Sequence, residues 1–180
     1  MANLHDIVQW CNQTLKANEF KDYAPNGLQI EGKSKVNKIV CAVTASEGAI
    51  DAAIAQQADA LLVHHGYFWK GEPYPITGMR GNRIKKLIQN NISLIAYHLP
   101  LDAHPVLGNN VAIAELIGLQ DLEALDPTEK HPIGNIGYLD QALSPEQFKE
   151  RLQVVFDFSV LHLACDKALI QKVGFCTGGA

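Results

Sequence analysis

Residues 38–66 read KIVCAVTASEGAIDAAIAQQADALLVHHG, and the order of patterns within them decides the fold. Ile39 to Thr44 is a near-continuous apolar run, as expected of a strand whose sheet is covered by helices on both faces. Ser46 to Gln57 is rich in Ala and reads as a helix, with Ser46 as its N-cap. Leu61 to His64 is a second buried strand. Further along, Arg80 to Asn90 is a helix with Ile84, Leu87 and Ile88 as its apolar stripe, and Ile92 to Tyr97 is a third strand. Asn110 to Ile117 is another helix, closed by Gly118. Upstream, Leu4, Ile7, Val8, Cys11 and Leu15 recur at helical spacing, with Asn3 and Asp6 as a capping pair, and that helix should end near Asn18. Pro25-Asn-Gly27 marks a turn before a short strand, Leu28 to Glu31. Alternating strands and helices specify an α/β fold: a three-layer, mostly parallel sheet with helices on both faces.

Around Leu125-Asp-Pro127 the style changes. Residues 1–125 are expected to form the first α/β domain, and residues 126–180 the start of a second, related one. Ile133 to Leu139 reads as an edge strand, Ser144-Pro-Glu-Gln147 as a capped helix start, and Ser159 to Ala164 and Lys172 to Cys176 as strands. Gln171 to Ala180 also resembles Asn37 to Ser46: an amide, a Lys, an apolar stretch, then small residues suited to a tight strand-to-helix turn. A βα unit opened and not completed exposes a strand edge, so the expectation is a chain whose second domain is incomplete.

The composition narrows the function classes. Of 180 residues, 47% are hydrophobic, which suits a globular protein and not a disordered one. The formal net charge of −4 makes the chain a poor general binder of nucleic acid, which needs clustered Lys and Arg. No apolar run approaches the roughly 20 residues of a membrane-spanning helix. Met1 to Asp6 has neither a basic segment nor an apolar one, so no secretory signal is expected and the reading is cytoplasmic. Cys11, Cys41, Cys165 and Cys176 form no Cys-x-x-Cys pair, and reduced thiols, mostly buried, are the expected state. Gly-x-Gly-x-x-Gly, P-loop and Gly-x-Ser-x-Gly motifs are absent from the sequence.

Chemistry concentrates at two strand ends. Leu62-Val-His-His-Gly-Tyr-Phe-Trp69 puts two imidazoles where a buried strand breaks at Gly66. Neighbouring strand residues point to opposite faces, yet at such a break His64 and His65 can both turn toward one crevice. Tyr97-His-Leu-Pro-Leu-Asp-Ala-His-Pro105 follows the next strand and lands on the same rim, adding His98, Asp102 and His104. Imidazole nitrogen with a bridging carboxylate suits divalent first-row cations and selects little among them. The plainer alternatives are hydrogen-bonded histidines at a sheet edge and an Asp102 that caps a turn. The loop from Gly66 to Gly78 is long for a βα connection, either functional or a surface excursion. Arg80, Arg83, Lys85 and Lys86 could meet an anion, although a solvated helix face is the simpler reading. Tyr67, Phe68 and Trp69 could stack a ring or pack the loop.

Taken together, Asp22-Tyr-Ala-Pro-Asn-Gly-Leu-Gln29, Val43-Thr-Ala-Ser46, Ala58 to Trp69 and Tyr97 to His104 resemble the GTP cyclohydrolase 1 type 2 homologue family, over essentially the whole chain. The resemblance implies two related α/β domains, a dinuclear metal centre between them and a toroidal homohexamer. It implies His64, His65 and Asp102 as metal ligands, with Asp102 as the bridge, and two divalent ions per full-length subunit, chosen among Zn, Fe, Mn, Ni and Mg. Relatives complete the centre with a His-x-x-x-Glu segment near the C-terminus. No such segment follows Asp102 here, so fewer ions are expected in the 180-residue form. Two close cations would acidify a shared water and clamp an attacked centre, which is hydrolase-type chemistry. The cyclohydrolase label is passed on by homology, so the substrate is an unidentified small molecule, for instance a nucleotide. His98 and His104 are the candidate catalytic acids. The alternative is a non-catalytic metal-handling, assembly or regulatory protein.

Overall fold

The computed structural model describes residues 1–164, 166 and 168–178. Cys165 and the Gly179-Ala180 end of the expected repeat lie outside them. Two compact units result, Met1–Leu101 and Asp102–Ala180.

Unit 1 begins with a two-residue strand β1 (Ala2–Asn3) and helix α1 (Leu4–Thr14), whose N-cap Asn3 accepts from the His5 N–H. The helix stops four residues short of the expected Asn18, because Lys16 turns left-handed (φ 52°) and a 3-10 turn, Ala17–Glu19, follows. Next come β2 (Gly27–Ile30), β3 (Lys35–Val36), β4 (Ile39–Thr44), α2 (Glu47–Ala55), β5 (Ala60–His65), α3 (Gly78–Gln89) and β6 (Ser93–Ala96). The main sheet has the order β2-β6-β5-β4, with β4, β5 and β6 parallel and β2 antiparallel to β6. Alternation across β5 and β6 builds the three layers. Leu61, Val63, Leu94 and Ala96 pack with Ile50, Ala53, Ile84 and Leu87 of α2 and α3. Ala60, Leu62, Ile95 and Tyr97 pack on the other face with Leu4, Val8 and Cys11 of α1. Both faces are thus buried, which is why these strands are apolar throughout.

The end of the sheet away from the histidines is anchored by Asp59, which is 7% exposed. Its carboxylate accepts from the Asn37 N–H (2.8 Å), the Lys38 N–H (3.2 Å) and Lys33 Nζ (2.9 Å). The Lys33 hydrogen bond is the largest cause holding this carboxyl below its ordinary value, and the backbone donors add to it against the opposing effect of burial. Lys33 is half exposed, so the ion pair itself contributes little, and the two backbone N–H groups matter more. Asp59→Ala should therefore destabilise unit 1 by about 3 kcal/mol at neutral pH. A carboxyl depressed in the folded state contributes fully above its unfolded value of about 3.9 and loses that contribution as pH falls through the folded value. The gap between wild type and Asp59→Ala in urea unfolding should accordingly persist at pH 7 and 5 and narrow below about pH 4. A gap independent of pH would assign the effect to packing.

Unit 2 follows the short helix α4 (Leu99–Asp102) and contains α5 (Asn109–Ile117), β7 (Leu119–Ala124), β8 (Asn135–Leu143), α6 (Pro145–Phe156) and β9 (Ile170–Phe175). The position 125 marked by the change in sequence style lies in the connection between β7 and β8. Ser144 and Gln147 form the expected capping box of α6, and Gly118 closes α5 in a left-handed conformation. The three strands form an antiparallel sheet ordered β7-β8-β9. Two expectations are corrected here. The strand read from Ile133 to Leu139 is the central strand of this sheet, not an edge. Ser159 to Ala164 forms no strand: β9 pairs with β8, and Leu161 and Leu163 are left 87% and 80% exposed. The expectation of mostly buried thiols also fails among the described residues, since Cys41 is exposed and Cys11 and Cys176 are half-buried. No helix among the described residues is long and apolar enough to cross a membrane.

Candidate metal centre

Parallel β4, β5 and β6 bring their C-terminal ends to one rim of unit 1, and antiparallel β2 starts there, with Gly27 opposite Ala96. Thr44, His64, His65 and His98 therefore share that rim with the Asp22 to Asn26 turn. The break at Gly66 turns both histidines of the pair the same way: the His64 and His65 ring centroids are 4.4 Å apart. His98 joins them, 5.0 Å from His64 and 5.6 Å from His65. One ligand atom from each of the three lies within 4.8 Å of the others, and all three rings are half-buried.

Each imidazole is oriented through Nδ1. His64 Nδ1 donates to the Tyr97 carbonyl at 2.9 Å, which in the neutral ring places the lone pair on Nε2. His65 Nδ1 lies 3.1 Å from Thr44 Oγ1. His98 Nδ1 donates to Asp22 Oδ1 at 2.7 Å. Outer oxygens of this kind fix ring orientation in metal sites, so the donor chemistry fits a divalent cation. The Asp22 carboxyl also accepts from the Tyr23 and Leu99 N–H groups and from Asn26 Nδ2. Burial pushes it up, yet these hydrogen bonds, led by that from His98, outweigh burial and hold it below its ordinary value. Asn26 Oδ1 accepts from the His98 N–H at 2.7 Å, so the turn grips both backbone and ring of His98.

The remaining residues read from the sequence have the following surroundings. Asp102 belongs to unit 2 and is 5% exposed; its Oδ1 accepts from Asn109 Nδ2 and Thr177 Oγ1. His104 caps a turn, since its Nδ1 accepts from the Val106 and Leu107 N–H groups. Arg80 is not on a solvated face: it holds the 66–78 loop through Glu72 and the Pro73 and Pro75 carbonyls. Lys86 pairs with Glu47 and Asp51 on the surface. Tyr67 is buried and donates to the Ala45 carbonyl, and Trp69 stands edge-on to His98 at 4.8 Å. A cavity of about 490 Å³ opens beside the Asp22 turn, lined by Phe20, Tyr23, Phe68 and Lys70 among others, and none of the three histidines lines it. Nothing in local sequence pattern marks Asp22, Asn26, Asn109 or Thr177 as functional beyond the turn at Pro25-Asn-Gly27, the polar Asn-Asn pair at the start of α5 and the small residues after β9.

Residues 2–180 match the Duf34/NIF3 (NGG1p interacting factor 3) family. The chain belongs to that family. It is 52% identical to a Vibrio cholerae protein named GTP cyclohydrolase 1 type 2 homolog, over 93% of this chain and 67% of the relative. The solved structure of protein ybgI, whose function is given as unknown, superposes with a TM-score of 0.92 at 41% identity, over 99% of this chain and 70% of that one. A protein of Thermus thermophilus gives 0.88 at 34% identity, over 99% and 71%. The Duf34/NIF3 chain described here thus spans about two thirds of the length of these relatives, and its α/β architecture is theirs.

Proposed function

We propose that this chain is a divalent-metal protein with hydrolase-type chemistry, in which His64, His65 and Asp102 hold the metal. The convergence of three imidazoles, each with Nδ1 against an oxygen, supports a cation at this rim, and Asp102 joins the ligand set on the family resemblance. Cations bound there would supply Lewis acidity toward an attacked centre and acidify water. The protein's own contribution is orientation. The Tyr97 carbonyl and Thr44 hydroxyl set the rings of His64 and His65. Asp22 holds His98 in the tautomer that presents Nε2, from which His98 can accept or return a proton during turnover. His104 is left to its turn, because its Nδ1 already accepts two backbone N–H groups.

The expected substrate is a small molecule, and nucleotides and phosphoesters are the first to test. Self-association, with a ring of six copies as its expected form, and a cytoplasmic setting complete the proposal. Purified protein should retain divalent metal after dialysis, counted per chain by plasma mass spectrometry. It should also hydrolyse at least one member of a nucleotide and phosphoester panel in Mn, Fe, Zn or Mg. Metal retained without turnover would favour the metal-handling alternative. Neither metal nor turnover would end the proposal.

A further inference from the structure

We infer that Thr177 and Asn109 are positioning residues that orient the Asp102 carboxylate for a divalent cation, an inference that rests on the reading of Asp102 as a metal ligand. Two donors from distant stretches of unit 2 meet on one oxygen: Asn109 Nδ2 at 2.8 Å and Thr177 Oγ1 at 2.9 Å from Oδ1. Two donors on the same oxygen restrict both the rotation and the tilt of a carboxylate. Asn110, 1% exposed, adds a backbone strap. Its Nδ2 donates to the Asp102 carbonyl at 3.1 Å, and its Oδ1 accepts from the Thr177 N–H at 2.8 Å. Asp102 is thus held at side chain and main chain by the start of α5 and by the residue two past β9.

The chemistry of these donors suits a cation site. An amide and a hydroxyl orient a carboxylate without neutralising it, whereas Lys or Arg in their place would cancel the charge a cation needs. The Cys176-Thr-Gly178 stretch, read from sequence only as a strand-to-helix turn, gains a specific role, since its threonine aims a carboxylate 75 residues away in sequence.

The test uses cobalt(II) as a probe, titrated into the metal-free protein and read by visible absorption. Thr177→Val keeps the side-chain volume and the N–H to Asn110 while removing the hydroxyl. It should weaken cobalt binding by about 10- to 100-fold and alter the absorption band, as loss of an outer partner does in metal sites. Thr177→Ser, which restores the hydroxyl, should recover most of the affinity and the wild-type band. Wild-type affinity and an unchanged band in Thr177→Val, alongside weakened binding in Asp102→Ala, would overturn the positioning role alone. Cobalt binding by Asp102→Ala equal to wild type, or no binding by wild type, would overturn the ligand reading and the positioning role with it. If Thr177→Val melts early without metal, Asn109→Ala asks the same question of the other donor to Oδ1, and unchanged affinity there would overturn the role.

Discussion

Replacing His64 and His65 together with Ala should lower divalent-metal affinity by on the order of 100-fold or more, given that loss of an outer partner alone costs 10- to 100-fold. Both rings are only half-buried, so the fold should survive: neither sits in the packed clusters formed by Leu61 and Val63 on one face and Ala60 and Leu62 on the other. Metal content per chain after dialysis and the unfolding midpoint of the metal-free protein separate the two effects. Metal loss with an unchanged midpoint is the expected pair. Retention of metal by the double variant would move the site elsewhere, and any turnover that survived would owe nothing to these histidines. A single His64→Ala change should be the more severe of the two, because its ring is fixed by a carbonyl that can only accept, at 2.9 Å, and so has one defined tautomer.

Why the histidine pair could be read from sequence, while the residues that aim it could not, follows from the kind of contact involved. A run such as Leu61 to His65 ended by Gly66 declares a buried parallel strand and its C-terminal end by composition alone. The shared rim then follows from the parallel pairing of β5 with β6. Asp22 reaches His98 across 76 residues, through the antiparallel pairing of β2 with β6, and local pattern contains no record of such pairing. The same holds for Thr177 and Asp102. Strand β7 carries no strand pattern in its sequence for a local reason: Asp121 adopts φ 50°, the register with β8 shifts between Gln120 and Glu123, and the period of two never develops. Ser159 to Ala164 failed in the opposite direction. Its alternation of apolar residues resembles a strand, but pairing is settled by neighbours, and β8 is flanked by β7 and β9.

Gly66→Ala should destabilise unit 1 by about 3 kcal/mol, a large fraction of a typical domain's 5 to 15. A Cβ at position 66 would lie 2.2 Å from Gln29 Oε1 and 2.8 Å from the Ala96 Cβ. Gln29 alone could swing aside, but it is pinned at both ends of its amide: Oε1 accepts from the Tyr67 N–H at 2.7 Å, and Nε2 donates to the Pro25 carbonyl at 2.9 Å. Moving it breaks both hydrogen bonds and leaves a part-buried N–H without its acceptor, at roughly 1 to 3 kcal/mol. The Ala96 Cβ cannot move without β6, whose four residues are all buried. The strain therefore falls on the end of β5 and on the ring orientation of His64 and His65. Urea unfolding of the metal-free variant measures the first consequence, and cobalt titration the second. Gln29→Ala should carry the hydrogen-bond part of that cost on its own and add little in the Gly66→Ala background, because the clash already breaks the same two hydrogen bonds. Fully additive losses would mean that Gln29 keeps both bonds beside the new Cβ; no loss in the Gly66→Ala single variant would mean that the strand end at Gly66 is not close-packed.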